Sequence, residues 1–191
     1  MNLVTSAGFT VESLSSPSVV AVLFEFSAAA LDHRPDVGRT YAKSLGISED
    51  RAYGDWKEML TREKNREDRI DLVTVATPNS THFEITKSFL EAGFNVLCEK
   101  PMTMTVDEGE EIVKIASKSG KLCTVNYCYS AYPMVRQARD MVQNGELGKI
   151  RLIVTNFSHG HHGNAEDANN PRVRWRYDPQ MAGVSGQFAD C

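Results

Sequence analysis

Two short apolar runs, each ending in a polar turn that contains a proline, constrain this chain more than any other feature. The first is Asp71-Leu72-Val73-Thr74-Val75-Ala76, followed by Thr77-Pro78-Asn79-Ser80-Thr81-His82. The second is Asn95-Val96-Leu97-Cys98, followed by Glu99-Lys100-Pro101. Between them Ile85, Phe89 and Ala92 recur at helical spacing, Thr81 and Glu84 stand at capping-box spacing, and Gly93 supplies a stop. Strand, helix and strand in that order predict parallel strands joined by a helical crossover. In open α/β sheets, ligands collect outside the carboxyl ends of the strands. A lysine at such an end is where a small substrate would meet it.

The same rhythm extends to both sides. Residues 22–31 read as a strand ending at Asp32. Pro35 suits the first turn of a helix running to about Leu45, with Gly46 as its left-handed stop. Residues 51–53 read as a short strand, and residues 55–60 begin a further helix. The charged stretch 61–69 reads as a solvated helix end or loop. Thr105 and Glu108 repeat the capping pattern ahead of an Ile112, Val113 and Ala116 stripe, which Gly120 closes. Residues 121–127 read as a strand. Pro133 then opens a helix with Val135, Ala138 and Val142 on one face, ending at Gly145. Alternation of this kind predicts a parallel sheet with helices on both faces. After Gly148 it stops: residues 150–157 read as one longer strand with no helix behind it, so a domain boundary is expected near 148.

Composition narrows the class. A 191-residue chain suits one domain, or one domain and part of another. Its apolar content of 41% and net charge of −4 favour neither a nucleic-acid partner nor an acidic membrane. Cys98, Cys123, Cys128 and Cys191 match no zinc spacing, and buried reduced thiols suit a cytoplasmic protein. No apolar stretch reaches spanning length, and no basic segment at the start suggests a secretory leader.

The ordered pair Ala76-Thr77-Pro78-Asn79-Ser80-Thr81-His82 and Cys98-Glu99-Lys100-Pro101 resembles the Gfo/Idh/MocA family of nicotinamide-dependent oxidoreductases. The likeness continues through 144–150, through Trp175-Arg176-Tyr177-Asp178-Pro179, and through Gly186-Gln187-Phe188-Ala189-Asp190. It implies a Rossmann-like α/β domain binding NAD or NADP, followed by a second α+β domain. It also implies hydride transfer from a sugar, cyclitol or related polyol, in relatives that associate as homo-oligomers. On that basis 1–20 is an atypical segment, 21–148 an incomplete NAD(P)-binding domain, and 149–191 the beginning of a substrate or oligomerisation domain.

By the same resemblance Lys100 is the catalytic residue, beside the nicotinamide. It would serve as base or proton relay for the substrate hydroxyl. Pro101 fixes its turn, through a cis peptide in one reading. Glu99 orients the lysine or contacts a ribose. Thr77, Pro78, Asn79 and His82 lie along the cofactor, although Asn79 also has the chemistry of a helix cap and His82 that of a packed histidine. Asp32, at the end of a strand, would accept hydrogen bonds from the adenosine ribose and favour NAD. His33 and Arg34 are positioned to receive a 2′-phosphate instead. Tyr129, Arg176 and Asp190 are the substrate candidates. His159, His161 and His162 crowd a Gly-containing loop, but a flexible polar loop explains them better than a metal does.

Two family features are missing. A dinucleotide fold opens with a strand and a Gly-x-Gly-x-x-Gly turn whose N–H groups hold pyrophosphate, and this sequence has no such turn. Residues 1–20 are therefore expected to be unrelated to the sheet, with the first strand absent. The alternative is that residues 2–8 are a degraded first strand. The family's Asp-x-Gly-x-His element would begin at Asp190, and its histidine is not in the sequence. The chain is expected to be a truncated form, inactive alone. A catalytically dead binding module built on part of the nucleotide-binding fold is the alternative.

Overall fold

The computed structural model describes residues 3–13, 20–30, 35–156, 169–170 and 174–183. Strands β1 (Leu3–Ser13), β2 (Val20–Ala30), β3 (Leu72–Ala76), β4 (Asn95–Glu99) and β5 (Cys123–Asn126) form one sheet in the order β2-β1-β3-β4-β5. The parallel part is β3-β4-β5, with Val75 opposite Cys98 and Cys98 opposite Val125. Parallel strands are covered on their faces, which is why residues 72–76 are apolar at nearly every position. Val73, Val75, Val96 and Cys98 are fully buried.

The helices follow their local signals. Helix α1 (Pro35–Ser44) starts on its proline, and Gly46 takes the predicted left-handed conformation at φ 78°. Helix α2 (Trp56–Glu63) is capped by Asp55, whose carboxylate accepts from the N–H groups of Lys57 and Glu58. Helix α3 (His82–Glu91) is the crossover between β3 and β4, and it buries Ile85, Phe89 and Leu90. Phe89 meets Phe94 edge to face at 5.6 Å. Burying a side chain of that size contributes about 1.5–3 kcal/mol. Helix α4 (Val106–Ser119) carries the full Thr105–Glu108 capping box and closes at Gly120. Helix α5 (Pro133–Gln143) buries no residue, and α6 (Pro179–Ala182) is a single turn capped by Asp178.

One expectation about the first strand is corrected. Residues 3–13 are not outside the sheet; they lie between β2 and β3, with Ser6 opposite both Ala28 and Val73. The reason is the hydrogen-bonding edge of β3, which is costly to leave unpaired. Among the described residues there is nevertheless no parallel first strand of a doubly wound sheet, because β1 runs antiparallel to both neighbours. Its first residue, Leu3, pairs with Ala76 at the carboxyl end of β3. β1 therefore starts at the edge where a dinucleotide fold would have its first strand end. β2 runs back again, so Ala30 finishes at that same edge, opposite Val4.

Other readings are corrected too. Residues 151–156 have no regular structure, and Leu152, Ile153 and Val154 are about 80% exposed. An apolar run becomes a strand only with a neighbour to pair with, and among the described residues it has none. Residues 49–51 form a 3-10 turn with an isolated bridge at Ala52, not a strand. Val113 is exposed although Ile112 is buried, so the α4 stripe is narrower than its pattern implied. The charged stretch 61–69 includes Glu63, which is fully buried. Its carboxylate accepts from Arg51, from the Tyr53 hydroxyl at 2.6 Å and from the Ile70 N–H at 3.2 Å.

Candidate functional site

The parallel register of β3 and β4 brings their carboxyl ends side by side, so the turns beginning at Thr77 and at Glu99 emerge at one edge of the sheet. A 3-10 turn over Asn79–Thr81 leads from the first into α3. Thr81 does not form its predicted capping box. Its hydroxyl lies 2.5 Å from the Thr77 hydroxyl and donates to the Pro78 carbonyl at 2.7 Å, closing the turn on itself. The peptide between Lys100 and Pro101 is cis.

His82 joins the two turns. Its ring is 1% exposed, with Nδ1 2.7 Å from the Pro101 carbonyl oxygen and Nε2 2.8 Å from that of Thr77. Carbonyls only accept. A neutral ring donates to one of them and a doubly protonated ring to both. Either way both ring nitrogens of His82 are engaged by the two turns.

Glu99 ends β4 and is held from the side. Asn126, at the end of β5, donates its amide to Glu99 Oε1 at 2.5 Å. Asn126 was not among the sequence candidates. Its signal was an amide residue at the tip of the third parallel strand. Lys100 is half-buried next to it. Beside the Lys100–Pro101 turn lies an open cleft of about 620 Å³, mainly apolar, lined by Met102, Met104, Val106, Val113 and Tyr127.

Asn79 is 5% exposed, and its amide donates 3.0 Å to the carbonyl oxygen of Ala182. The turn after β3 is thus in contact with a segment from the far end of the chain. Arg176 and Trp175 belong to that segment, in a 3-10 turn over Arg174–Tyr177, with the guanidinium 4.9 Å from the indole centre. Tyr129 lies in the turn after β5, exposed, its ring edge-on to Tyr132 at 5.4 Å. Asp32, Asp190 and the histidines of 159–162 lie outside the described residues.

Cys98, under the β4 tip, is fully buried, and burial pushes its thiol up to about 12. Cys123 is raised by the same cause. Cys98 is an inert packing thiol, and Cys123 is a weakened nucleophile. No helix among the described residues is long and apolar enough to cross a membrane.

An uncharacterized oxidoreductase of Bacillus subtilis, YfiI, is 38% identical over 87% of this chain and 43% of its own length. A D-xylose 1-dehydrogenase (NADP(+)) of Haloferax volcanii is 30% identical over 97% of this chain and 52% of its own. An inositol dehydrogenase homolog of Azotobacter vinelandii, solved with NAD+, superimposes with a TM-score of 0.81 at 40% identity, over 86% of this chain and 43% of that one. The same homolog solved with NADH and myo-inositol gives 0.76 at 39% identity, over 83% and 41%. The chain spans about half the length of these relatives. Residues 16–127, more than half of the sequence, match the model of the oxidoreductase family with an NAD-binding Rossmann fold. The chain belongs to this Gfo/Idh/MocA oxidoreductase family.

Proposed function

We propose that the chain supplies the nicotinamide side of an NAD(P)-dependent oxidoreductase that acts on a sugar, cyclitol or related polyol. The observation that carries this reading is the meeting of the β3 and β4 tips, with His82 bonded to both turns. Ligands of such sheets sit at that edge. The polar groups present suit the nicotinamide end of a cofactor: the backbone of the turn after Thr77 on one side, and the Glu99 carboxylate, steadied by Asn126, on the other. When bound, the nicotinamide would accept the hydride from the carbon that bears the substrate hydroxyl. Lys100 is the one amine in the turn that follows β4, and its part is to orient that hydroxyl and take up or relay its proton. Arg176, Tyr129 and Asp190 are the proposed substrate contacts. Asp32 follows the strand β2, which ends at the same edge, and is the proposed ribose contact favouring NAD. The relatives named above, one solved with myo-inositol and another a D-xylose 1-dehydrogenase, support a polyhydroxylated substrate.

A second reading has its own observation. β1 enters the sheet at the crevice edge instead of ending there, so no strand-to-helix turn follows it to hold pyrophosphate. This favours a binding module that keeps the nicotinamide half of the site without turnover. It agrees with the inference that the 191 residues alone are inactive.

Calorimetric titration of the purified chain with NADH and NADPH tests the first reading. Saturable binding with a Kd in the micromolar range is expected, tighter for NADH. Silence up to millimolar cofactor overturns it. Oxidation of any polyol by the isolated chain with NAD would overturn the inactivity inference.

A further inference from the structure

Asn79 looks like a cofactor residue from the sequence, but its amide reaches elsewhere. The Nδ2 group donates to Ala182 O across 103 positions of chain, and the contact is buried. Ala182 is the last residue of α6, a helix of one turn that cannot satisfy its own final carbonyls. The side chain of Asn79 therefore completes α6 from outside. Ala182 itself is 3% exposed.

The next residue makes a second contact. Gly183 has φ 85° and ψ 169°, a backbone shape that side chains disfavour. A Cβ built there would meet Met104 at 3.5 Å from its sulfur. Met104 follows the Lys100–Pro101 turn and lines the cleft beside it. Residues 182–183 thus rest on the turn after β3 through Asn79 and on the stretch after β4 through Met104. Upstream, the same short segment carries Trp175 and Arg176.

We infer that Asn79 is a positioning residue whose amide N–H, by holding Ala182 O, fixes the 174–183 segment across the two strand-tip turns, and that it does not serve as a donor to the cofactor. This rests on the reading of that edge as the cofactor site. In that setting Asn79 sets the distance between the substrate-side groups of the segment, Arg176 among them, and Lys100. An aspartate at this position has the same shape and no N–H, and its charge faces a carbonyl oxygen.

The test uses the 191-residue chain with Trp56→Phe, which leaves Trp175 as its one tryptophan. Asn79→Asp and Asn79→Ala are compared with the parent. Peptide-resolved amide exchange is expected to rise at least tenfold in 178–183 and to stay unchanged in β3 and β4. NADH affinity is expected to change less than threefold, while energy transfer from Trp175 to bound NADH falls. Unchanged exchange in 178–183 with a tenfold loss of NADH affinity would make Asn79 a direct cofactor contact and overturn the inference. A variant that loses protection throughout the sheet is replaced by a measurement on the parent: the Asn79 side-chain amide protons should exchange slowly with water, and fast exchange overturns the inference. If the parent binds no NADH, the cofactor reading fails, and the exchange data alone still decide whether Asn79 holds the segment.

Discussion

The ring nitrogen Nδ1 of His82 lies 2.7 Å from the carbonyl oxygen of Pro101. Its other nitrogen reaches the Thr77 carbonyl, so one buried side chain spans the turns that follow two parallel strands. Replacing it by alanine removes both hydrogen bonds and leaves a void where a 1%-exposed ring was packed. His82→Ala should cost about 2–4 kcal/mol. It should also weaken NADH binding, because the two turns are no longer tied together. Urea unfolding and an NADH titration of the same sample check both effects. A change in affinity with no change in stability would show that the ring contacts the ligand instead.

Arg51 and Glu63 pair at the other hub of the molecule. The guanidinium meets the carboxylate at 2.7 and 3.0 Å, with the arginine side chain 11% and the glutamate 0% exposed. Removing Glu63 leaves the largely buried Arg51 guanidinium with its longer contacts to Asp68, 3.5 Å from the carboxylate and 3.2 Å from the carbonyl oxygen. Glu63→Ala should therefore lose about 3–5 kcal/mol, read as a fall in the urea midpoint. It also leaves the Tyr53 hydroxyl and the Ile70 N–H without their acceptor. The double variant Arg51→Met, Glu63→Leu should recover part of that loss, because no lone charge remains. Additive losses in the double-mutant cycle would refute the coupling.

What the sequence made legible was local. The βαβ unit from 71 to 101 is written in residues close together: apolar runs, Gly93 at φ 83°, and prolines after each strand. The Thr105–Glu108 box was readable for the same reason, as its two members are three residues apart. Direction and distance were not. Leu3–Ser13 carries the pattern of a strand either way up, and only pairing with β3 decides that it runs antiparallel. The run at 150–157 has a strand pattern, but over 151–156 it meets no pairing partner among the described residues. Glu63 sits in a charged stretch and is buried because Arg51, Tyr53 and Ile70 converge on it. At the site, the Glu99–Asn126 bond and the Asn79–Ala182 bond join residues 27 and 103 positions apart.

Thiol chemistry should follow burial. Cys128 is exposed, Cys123 is intermediate and Cys98 is buried with its thiol pushed up to about 12. Among the described cysteines, iodoacetamide at pH 8, mapped by peptide mass, should label Cys128 first, Cys123 more slowly, and Cys98 on the timescale of unfolding. Because the folded state raises the thiols of Cys98 and Cys123 above their ordinary value of 9.0, their contribution is intact below pH 9. It is lost as pH rises toward 12. Cys98→Ser should flatten that alkaline fall in stability. Labelling of Cys98 at the rate of Cys128 would refute the packing.

Arg66 sets the acid limb. It donates to both carboxylate oxygens of Asp68, at 2.8 and 3.0 Å, and to Asp50 at 3.1 Å. The hydrogen bond from Arg66 holds Asp68 below its ordinary 3.8. Asp50 is lowered first by Ser48 and then by Arg66. A depressed carboxyl stabilises the fold above its unfolded value, and that stabilisation disappears as pH falls through the folded value. The Arg66→Gln variant should therefore be less stable than the parent by a constant amount above about pH 5. The gap should close as pH drops below 3.8. Added salt should narrow it at every pH, since Asp68 and Asp50 are more than half exposed. Urea midpoints from pH 2.5 to 7, with and without 1 M sodium chloride, read all three effects. A gap that persists unchanged at low pH would assign the role of Arg66 to packing of its aliphatic stem rather than to its charge.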